Sequence, residues 1–144
     1  MIRIRARELT GSEMGFGETT SEKIERVAAA IVDSAFKIHT HTGPGLLESA
    51  YRTLMVYELR KRGFEVAVEV PVPLVYEEVK LDAGYRLDLL VNGCVIVEVK
   101  AVEKIHPVHE AQLLTYLKLT NVRLGFRINF NTKLIKDGIK RVIH

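Results

Sequence analysis

The stretch Tyr85-Arg86-Leu87-Asp88-Leu89-Leu90-Val91-Asn92-Gly93-Cys94-Val95-Ile96-Val97-Glu98-Val99-Lys100 decides how this chain folds. It reads as two apolar strands joined at Asn92-Gly93, with few charges. Asp88 sits near the middle of the first strand, and Glu98 and Lys100 close the second. Burying an unpaired charge costs several kcal/mol, so two acids and an amine on such strands call for a compensator. A divalent cation held by the carboxylates is the natural one. Side chains alternate faces along a strand, which puts Leu87, Leu89 and Val91 on one face and Val95, Val97 and Val99 on one face of the next. A two-residue loop at Asn92-Gly93 would set Asp88 and Glu98 on opposite faces. A three-residue loop, with Gly93 as a left-handed bulge, aligns the two apolar rows and brings Asp88 level with Glu98. The sequence therefore predicts the bulged turn, and with it a constellation of Asp88, Glu98 and Lys100.

Working outward, the chain of 144 residues is the size of one domain. Residues 1–20 read as a tail or an edge strand, and 21–144 as a single domain. Thr20 or Ser21 is placed to cap a helix whose apolar positions, Ile24, Val27, Ala28, Ile31, Ala35 and Ile38, recur at helical spacing. Gly43-Pro44-Gly45 forces a turn. A second helix is expected from about Leu46 to Arg62, with Leu47, Ala50, Leu54, Tyr57 and Leu59 as its buried stripe. Strands are expected at 64–70, 72–76 and 79–81, ahead of the hairpin. His106-Pro107 opens a third helix at about 108–119, followed by a strand at 122–129, a loop at 131–138 and a short strand at 139–143. This order predicts an α/β fold, a mixed β-sheet flanked by helices.

Composition narrows the function classes. A net charge of +3, from 21 Lys and Arg against 18 Asp and Glu, permits nucleic-acid binding without demonstrating it. The single Cys94 excludes an intramolecular disulfide and a Cys-rich zinc site. No run reaches the roughly 20 apolar residues of a membrane span, and no basic-then-apolar leader is seen, so a cytoplasmic location is expected. His39 and His41 lack a third ligand and fit a helix end better than a metal. Gly125 reads as a strand irregularity.

Asp88 and Glu98-Val99-Lys100 form D-x9-E-x-K. The two carboxylates, with the Val99 carbonyl, suit Mg²⁺ or Mn²⁺, which prefer oxygen ligands. Lys100 would reach the attacking water or a scissile phosphate. Taken alone the pattern also fits a strand-end salt bridge. Gly45, Glu48 and Tyr51 share a helix face that points Glu48 inward. On the third helix, His109, Gln112 and Tyr116 form a polar column able to order water, phosphate or a metal's outer ligands. Arg86 shares the Asp88 face and can contact a phosphate.

Gly45-Leu46-Leu47-Glu48-Ser49-Ala50-Tyr51 carries the G-x-x-E-x-x-Y signature, and on it the chain resembles the GxxExxY family of the PD-(D/E)XK nuclease superfamily. The likeness runs from about Glu22 to Val142. It includes Gly84-Tyr85-Arg86-Leu87-Asp88-Leu89-Leu90-Val91 and His109-Glu110-Ala111-Gln112-Leu113-Leu114-Thr115-Tyr116-Leu117. The resemblance implies a restriction-endonuclease-like core, with Asp88, Glu98 and Lys100 in the D…(E)xK roles. It implies Glu48 as a helix-borne acid added to the metal site, and Gln112 and Tyr116 as the Q-x-x-x-Y element of exonuclease-type members. A proline does not precede Asp88; Leu87 does. The expected activity is a Mg²⁺- or Mn²⁺-dependent nuclease acting on DNA or RNA, with Arg86, His109 and Tyr51 as nucleic-acid contacts. The alternatives are a non-cleaving nucleic-acid-binding protein on the same fold, or an accessory domain that forms a homodimer through apolar helix faces.

Overall fold

The computed structural model describes residues 17–82 and 84–144. The expectation of a tail or edge strand at 1–20 therefore lies mostly outside the described residues. Helix α1 spans Thr20–Thr42, and Thr19 caps it by accepting the Glu22 amide at 3.1 Å. The cap is one residue earlier than the spacing suggests. Helix α2 spans Glu48–Lys61 and α3 spans Pro107–Thr120. Strands β1 (Val66–Pro71), β4 (Arg86–Val91), β5 (Val95–Lys100), β6 (Leu124–Asn129) and β7 (Ile139–Ile143) form one sheet in the order β1-β4-β5-β6-β7. Only β5 and β6 run parallel, with α3 as the crossover; the other pairs are antiparallel. β2 (Leu74–Tyr76) and β3 (Val79–Leu81) make a separate hairpin rather than joining the sheet. The expected loop at 131–138 ends in a 3-10 turn at Ile135–Gly138.

Two apolar layers cover the sheet. On one face, α1 and α2 bring Val27, Ile31, Ala35, Tyr51, Met55 and Leu59 against Val95, Val97, Val99, Phe126 and Ile128. On the other, Leu113, Tyr116 and Leu117 of α3 meet Leu87, Leu90 and Ile96. Helices on both faces explain why β5 and β6 are buried almost without alternation. Gly125 is no irregularity in β6. A Cβ there would meet Leu113 Cδ1 at 3.0 Å and Leu117 Cδ2 at 3.3 Å, so the glycine lets α3 lie close to the sheet. His39 Nε2 donates to the Thr132 carbonyl at 2.9 Å, a structural tie at the end of α1.

Two positions of the expected α2 stripe are turned out. Leu47 is 77% exposed and Tyr57 61%. The helix begins only at Glu48, so Leu47 precedes its first turn, and α2 buries a narrower face at Tyr51, Met55, Glu58 and Leu59. Lys37 of α1 reaches Glu58 of α2 at 3.2 Å, and Lys61 reaches it at 2.9 Å. The Lys61 hydrogen bond holds the Glu58 carboxyl below its ordinary range against the opposing effect of burial.

The hairpin takes the three-residue register. Val91 pairs with Val95, Leu90 with Ile96 and Leu89 with Val97. Asn92 (φ 48°) and Gly93 (φ 65°) are both left-handed, and the Cys94 amide donates to the Val91 carbonyl at 3.0 Å. Asn92 tolerates this conformation and is locked by accepting the Glu65 amide at 2.8 Å on its side chain.

The strict alternation expected of β4 fails at Asp88. Leu89 and Val91 face α1 and α2, while Leu87 packs with Leu90 under α3. The ladder explains it. Pairing of β1 with β4 skips from Val68↔Leu89 to Val70↔Leu87, and Glu69, opposite Asp88, sits at φ 51°. The β4–β5 pairing is regular from Val91↔Val95 to Leu89↔Val97, and side chains take over beyond it.

Candidate active site

Where β4 and β5 part, each acid bonds the other strand's backbone. The Val99 amide donates to Asp88 Oδ2 at 2.8 Å, and the Asp88 amide donates to Glu98 Oε1 at 3.3 Å. Both carboxyl groups line the same cleft. Two side chains thus replace ladder bonds and wedge the strands apart, which opens a cleft of about 440 Å³. Asp88, Glu98, Lys100 and Arg86 line it from the strands, and Gln112 and Tyr116 from α3. Six residues singled out from the sequence therefore converge on one cleft.

The electrostatics follow from depth. Glu98 is only 5% exposed. Burial, then the Asp88 charge and hydrogen bond, push its carboxyl up to about 9, against the Asp88 amide and the Lys100 ammonium. Tyr116 is also raised, first by burial and then by Glu98, Tyr85 and Asp88, while a hydrogen bond from Gln112 opposes the shift. Gln112 and Tyr116, four apart on α3, touch as their spacing implies. Lys100 is half-buried at the end of β5. Asn129 fixes that end: its side chain accepts the Val102 amide at 3.1 Å and donates to the Val102 carbonyl at 2.9 Å.

Further lining residues escaped the sequence reading. Arg52 reaches Asp88 Oδ1 at 3.3 Å, with side chains 26% and 16% exposed. It lies one helical turn after Glu48, and that i,i+4 spacing was the available signal. Glu69 and Tyr85 also line the cleft, and Gly84 completes it. Nothing local marked Glu69. Tyr85 stood in the deciding stretch, its ring centroid 6.3 Å from that of Tyr116.

Other expected residues stand elsewhere. Tyr51 is fully buried, stacked on Phe130 at 4.4 Å and 8°. Its hydroxyl donates to the Gly43 carbonyl at 2.6 Å and accepts the Leu46 amide at 3.1 Å. It buckles the turn in which Gly45 takes φ 107°, and from there it cannot touch a nucleic acid. Glu48 is the first residue of α2, half-buried and outside the cleft lining. Among the described residues no three His, Cys, Asp or Glu side chains gather closely enough to hold a metal. Glu48 is thus not brought to Asp88 and Glu98 as a third carboxylate. His109 is also off the cleft; its Nδ1 accepts the His106 amide at 3.3 Å in the first turn of α3. Partial burial first, then the charges of Lys100, His106 and Arg127, lower its pKa, with Glu48 opposing. Arg127, buried beside Glu98 in the β5–β6 register, meets Glu110 at 3.1 Å.

The donors fit a hard divalent cation in kind. Asp88 and Glu98 offer carboxylate oxygens side by side, and the peptide oxygen of Val99 follows directly. Burial and the neighbouring Asp88 charge make an ionised Glu98 costly, and a bound cation would offset that cost.

A family model described as PD-(D/E)XK nuclease superfamily matches residues 25–142. Neither the curated proteins nor the solved structures contain a match. The five-stranded mixed sheet flanked by helices is consistent with a restriction-endonuclease-like fold. Among the described residues, no helix is long and apolar enough to cross a membrane.

Proposed function

The chain belongs to the PD-(D/E)XK nuclease superfamily, and from that premise we propose that it is a metal-dependent phosphodiesterase that cuts DNA or RNA at the Asp88–Glu98–Lys100 cleft. One observation carries the reading: two carboxylates, each bonded to the other strand's backbone, and a lysine line the same open cleft, where the sheet ladder gives way to side chains. Asp88, Glu98 and the Val99 carbonyl would hold Mg²⁺ or Mn²⁺. Such an ion, when bound, polarises a phosphoryl oxygen and orients water.

The rest of the work falls to this chain's own residues. The Val99 amide fixes Asp88, so its second oxygen keeps a set direction. Lys100 places an ammonium beside the acids, suited to orient the attacking water and to offset charge developing on the phosphate. Arg86 and Arg52 offer guanidinium groups to the strand's phosphates. Gln112 holds the Tyr116 hydroxyl, and the pair positions the substrate from the α3 side. Glu48 stands near the cleft, where its charge is felt by His109 and where Arg52 follows it one turn along the same helix.

One observation favours the non-cleaving alternative. Arg52 already neutralises Asp88, so the cleft's acids are partly balanced without an ion. A cleavage assay with Mg²⁺ or Mn²⁺ on single- and double-stranded DNA and RNA separates the two. Cleavage by the wild type, lost in Glu98→Ala and Lys100→Ala, supports the nuclease. Cleavage that persists in both variants removes the site assignment, and binding without cleavage under either metal favours the alternative.

A further inference from the structure

Among the described residues that line the cleft, Tyr85 is the one aromatic ring with a large open surface. It is 43% exposed, while Tyr116 beside it is 5% exposed. The two rings stand at 59°, so Tyr116 props Tyr85 from the side and leaves a face free. The backbone is anchored as well, since the Tyr85 carbonyl accepts the Val72 amide at 2.8 Å. Such a ring, on fixed backbone at the rim of a cleft lined by Arg52, Arg86 and Lys100, joins a stacking platform to cations that attract a phosphate backbone.

Depth then restricts the substrate. Glu98 lies at the floor, so a phosphate that reaches the acids must enter the cleft. A volume of about 440 Å³ is in the lower part of the roughly 300–1,000 Å³ range of small-ligand sites. In a duplex the bases are held inside the stack. A nucleotide whose phosphate is at Asp88 and Glu98 can lay its base on Tyr85 only after leaving that stack. We propose that Tyr85 is a nucleobase-stacking site and that the cleft takes one nucleotide of a single strand, making single-stranded or frayed nucleic acid the substrate. This rests on the nuclease reading for the phosphate's position, but its binding component is independent of cutting.

The test measures binding in chelator, where cutting does not intervene, and cleavage separately in Mn²⁺. Fluorescence anisotropy would follow labelled oligo(dU) and oligo(U) of about 12 nucleotides, each alone and annealed to its complement. The two sugars report whether the site distinguishes DNA from RNA. Tyr85→Phe keeps the π face and is expected to bind single strands within about twofold of wild type. Tyr85→Leu keeps apolar bulk without the face, and is expected to weaken binding roughly ten- to a hundredfold, as loss of one base–aromatic stack does. Single strands should bind more tightly than duplexes, and in Mn²⁺ be cut faster. Equal binding by Tyr85→Leu and wild type, preference for the blunt duplex, or no binding of single strands by the wild type overturns the inference. Tyr85-dependent binding with no cleavage in any metal supports the stacking site while removing the nuclease reading. Cleavage indifferent to Tyr85→Leu does the reverse.

Discussion

Replacing Glu98 with glutamine should make the metal-free protein more stable while abolishing its proposed activity. Glu98 is 5% exposed and faces Asp88, and its carboxyl titrates near 9 rather than at 4.5. The folded state therefore holds this proton more tightly than the unfolded state does. Below about pH 4.5 both states are protonated and the group has no effect on stability. As pH climbs from there towards 9, folding takes up a proton that is ever scarcer, and stability falls by about 1.36 kcal/mol per unit. Beyond about 9 the loss levels off. At pH 7 the accumulated cost is about 3 kcal/mol. Glutamine carries no charge, has nearly the same shape, and keeps an oxygen to accept the Asp88 amide, now bonded at 3.3 Å. Glu98→Gln should thus gain about 3 kcal/mol at pH 7, a rise in Tm on the order of 10 °C. Urea unfolding in chelator at pH 5, 7 and 8.5 would measure it. The wild type should weaken across that series relative to the variant, whose difference curve isolates Glu98 from other titrating groups. Asp88→Asn should recover part of the same gain, since Asp88 is the second cause of the shift. A variant no more stable than wild type at pH 7, with a pH-independent difference, would refute the buried-acid reasoning.

Arg52→Met should leave the fold intact, because the ion pair with Asp88 is partly solvated, yet lower cleavage roughly ten- to a hundredfold by removing a cation from the reacting region; a strand-cleavage time course beside a thermal melt checks both. Tyr51→Phe removes a hydroxyl that bonds the Gly43 carbonyl and the Leu46 amide, and should cost about 1–2 kcal/mol. Faster hydrogen exchange at Leu46 would locate that loss in the turn. Gly138→Ala should destabilise by several kcal/mol, since its Cβ would fall 2.0 Å from the Asn129 carbonyl oxygen, backbone that cannot move without disturbing β6. Gly125→Ala meets only side-chain ends, at 3.0 Å and beyond, and should cost about 1–2 kcal/mol in the same urea titration.

The sequence made the register of the hairpin legible because two constraints met in it. The apolar rows had to coincide, and Asn92-Gly93 could supply left-handed residues on either loop length. Only the three-residue loop satisfied both, and it is the loop found. That Gln112 and Tyr116 share a helix face is legible as helical spacing, but spacing alone does not say that this face meets the acids, and His109, in the same column, lies off the cleft. The i,i+4 spacing from Glu48 puts Arg52 on the same helix face, but its meaning depends on which strand end lies opposite, and spacing does not carry that. Tyr51 misled for a related reason. Its spacing from Glu48 placed it on the same face, but spacing cannot separate a ring aimed at solvent from one stacked on Phe130, a residue far away in sequence. Glu48 opens the helix and stands outside the cleft lining, a placement that its spacing from Tyr51 does not carry.

The failure of alternation at Asp88 explains why fold and site cannot be read apart. A regular ladder would pair β4 with β5 through backbone bonds along their whole length and leave no cleft between them. Here each carboxylate takes a backbone amide of the opposite strand, so hydrogen bonding is conserved while the strands are held apart. β1 follows the distortion, skipping one pair where Glu69 turns to positive φ. The opening therefore depends on the two acids themselves, and so does its electrostatic cost, because the side chains that separate the strands bring two carboxylates together at depth. Uncharged replacements relieve that cost and keep the acceptors, so the strands should remain apart in Glu98→Gln. Alanine, which has no acceptor, should instead let β4 and β5 close towards a regular ladder. Amide exchange at Asp88 distinguishes the two outcomes: protection kept in glutamine and altered in alanine supports a cleft wedged open by its own acids, and identical protection in both refutes it.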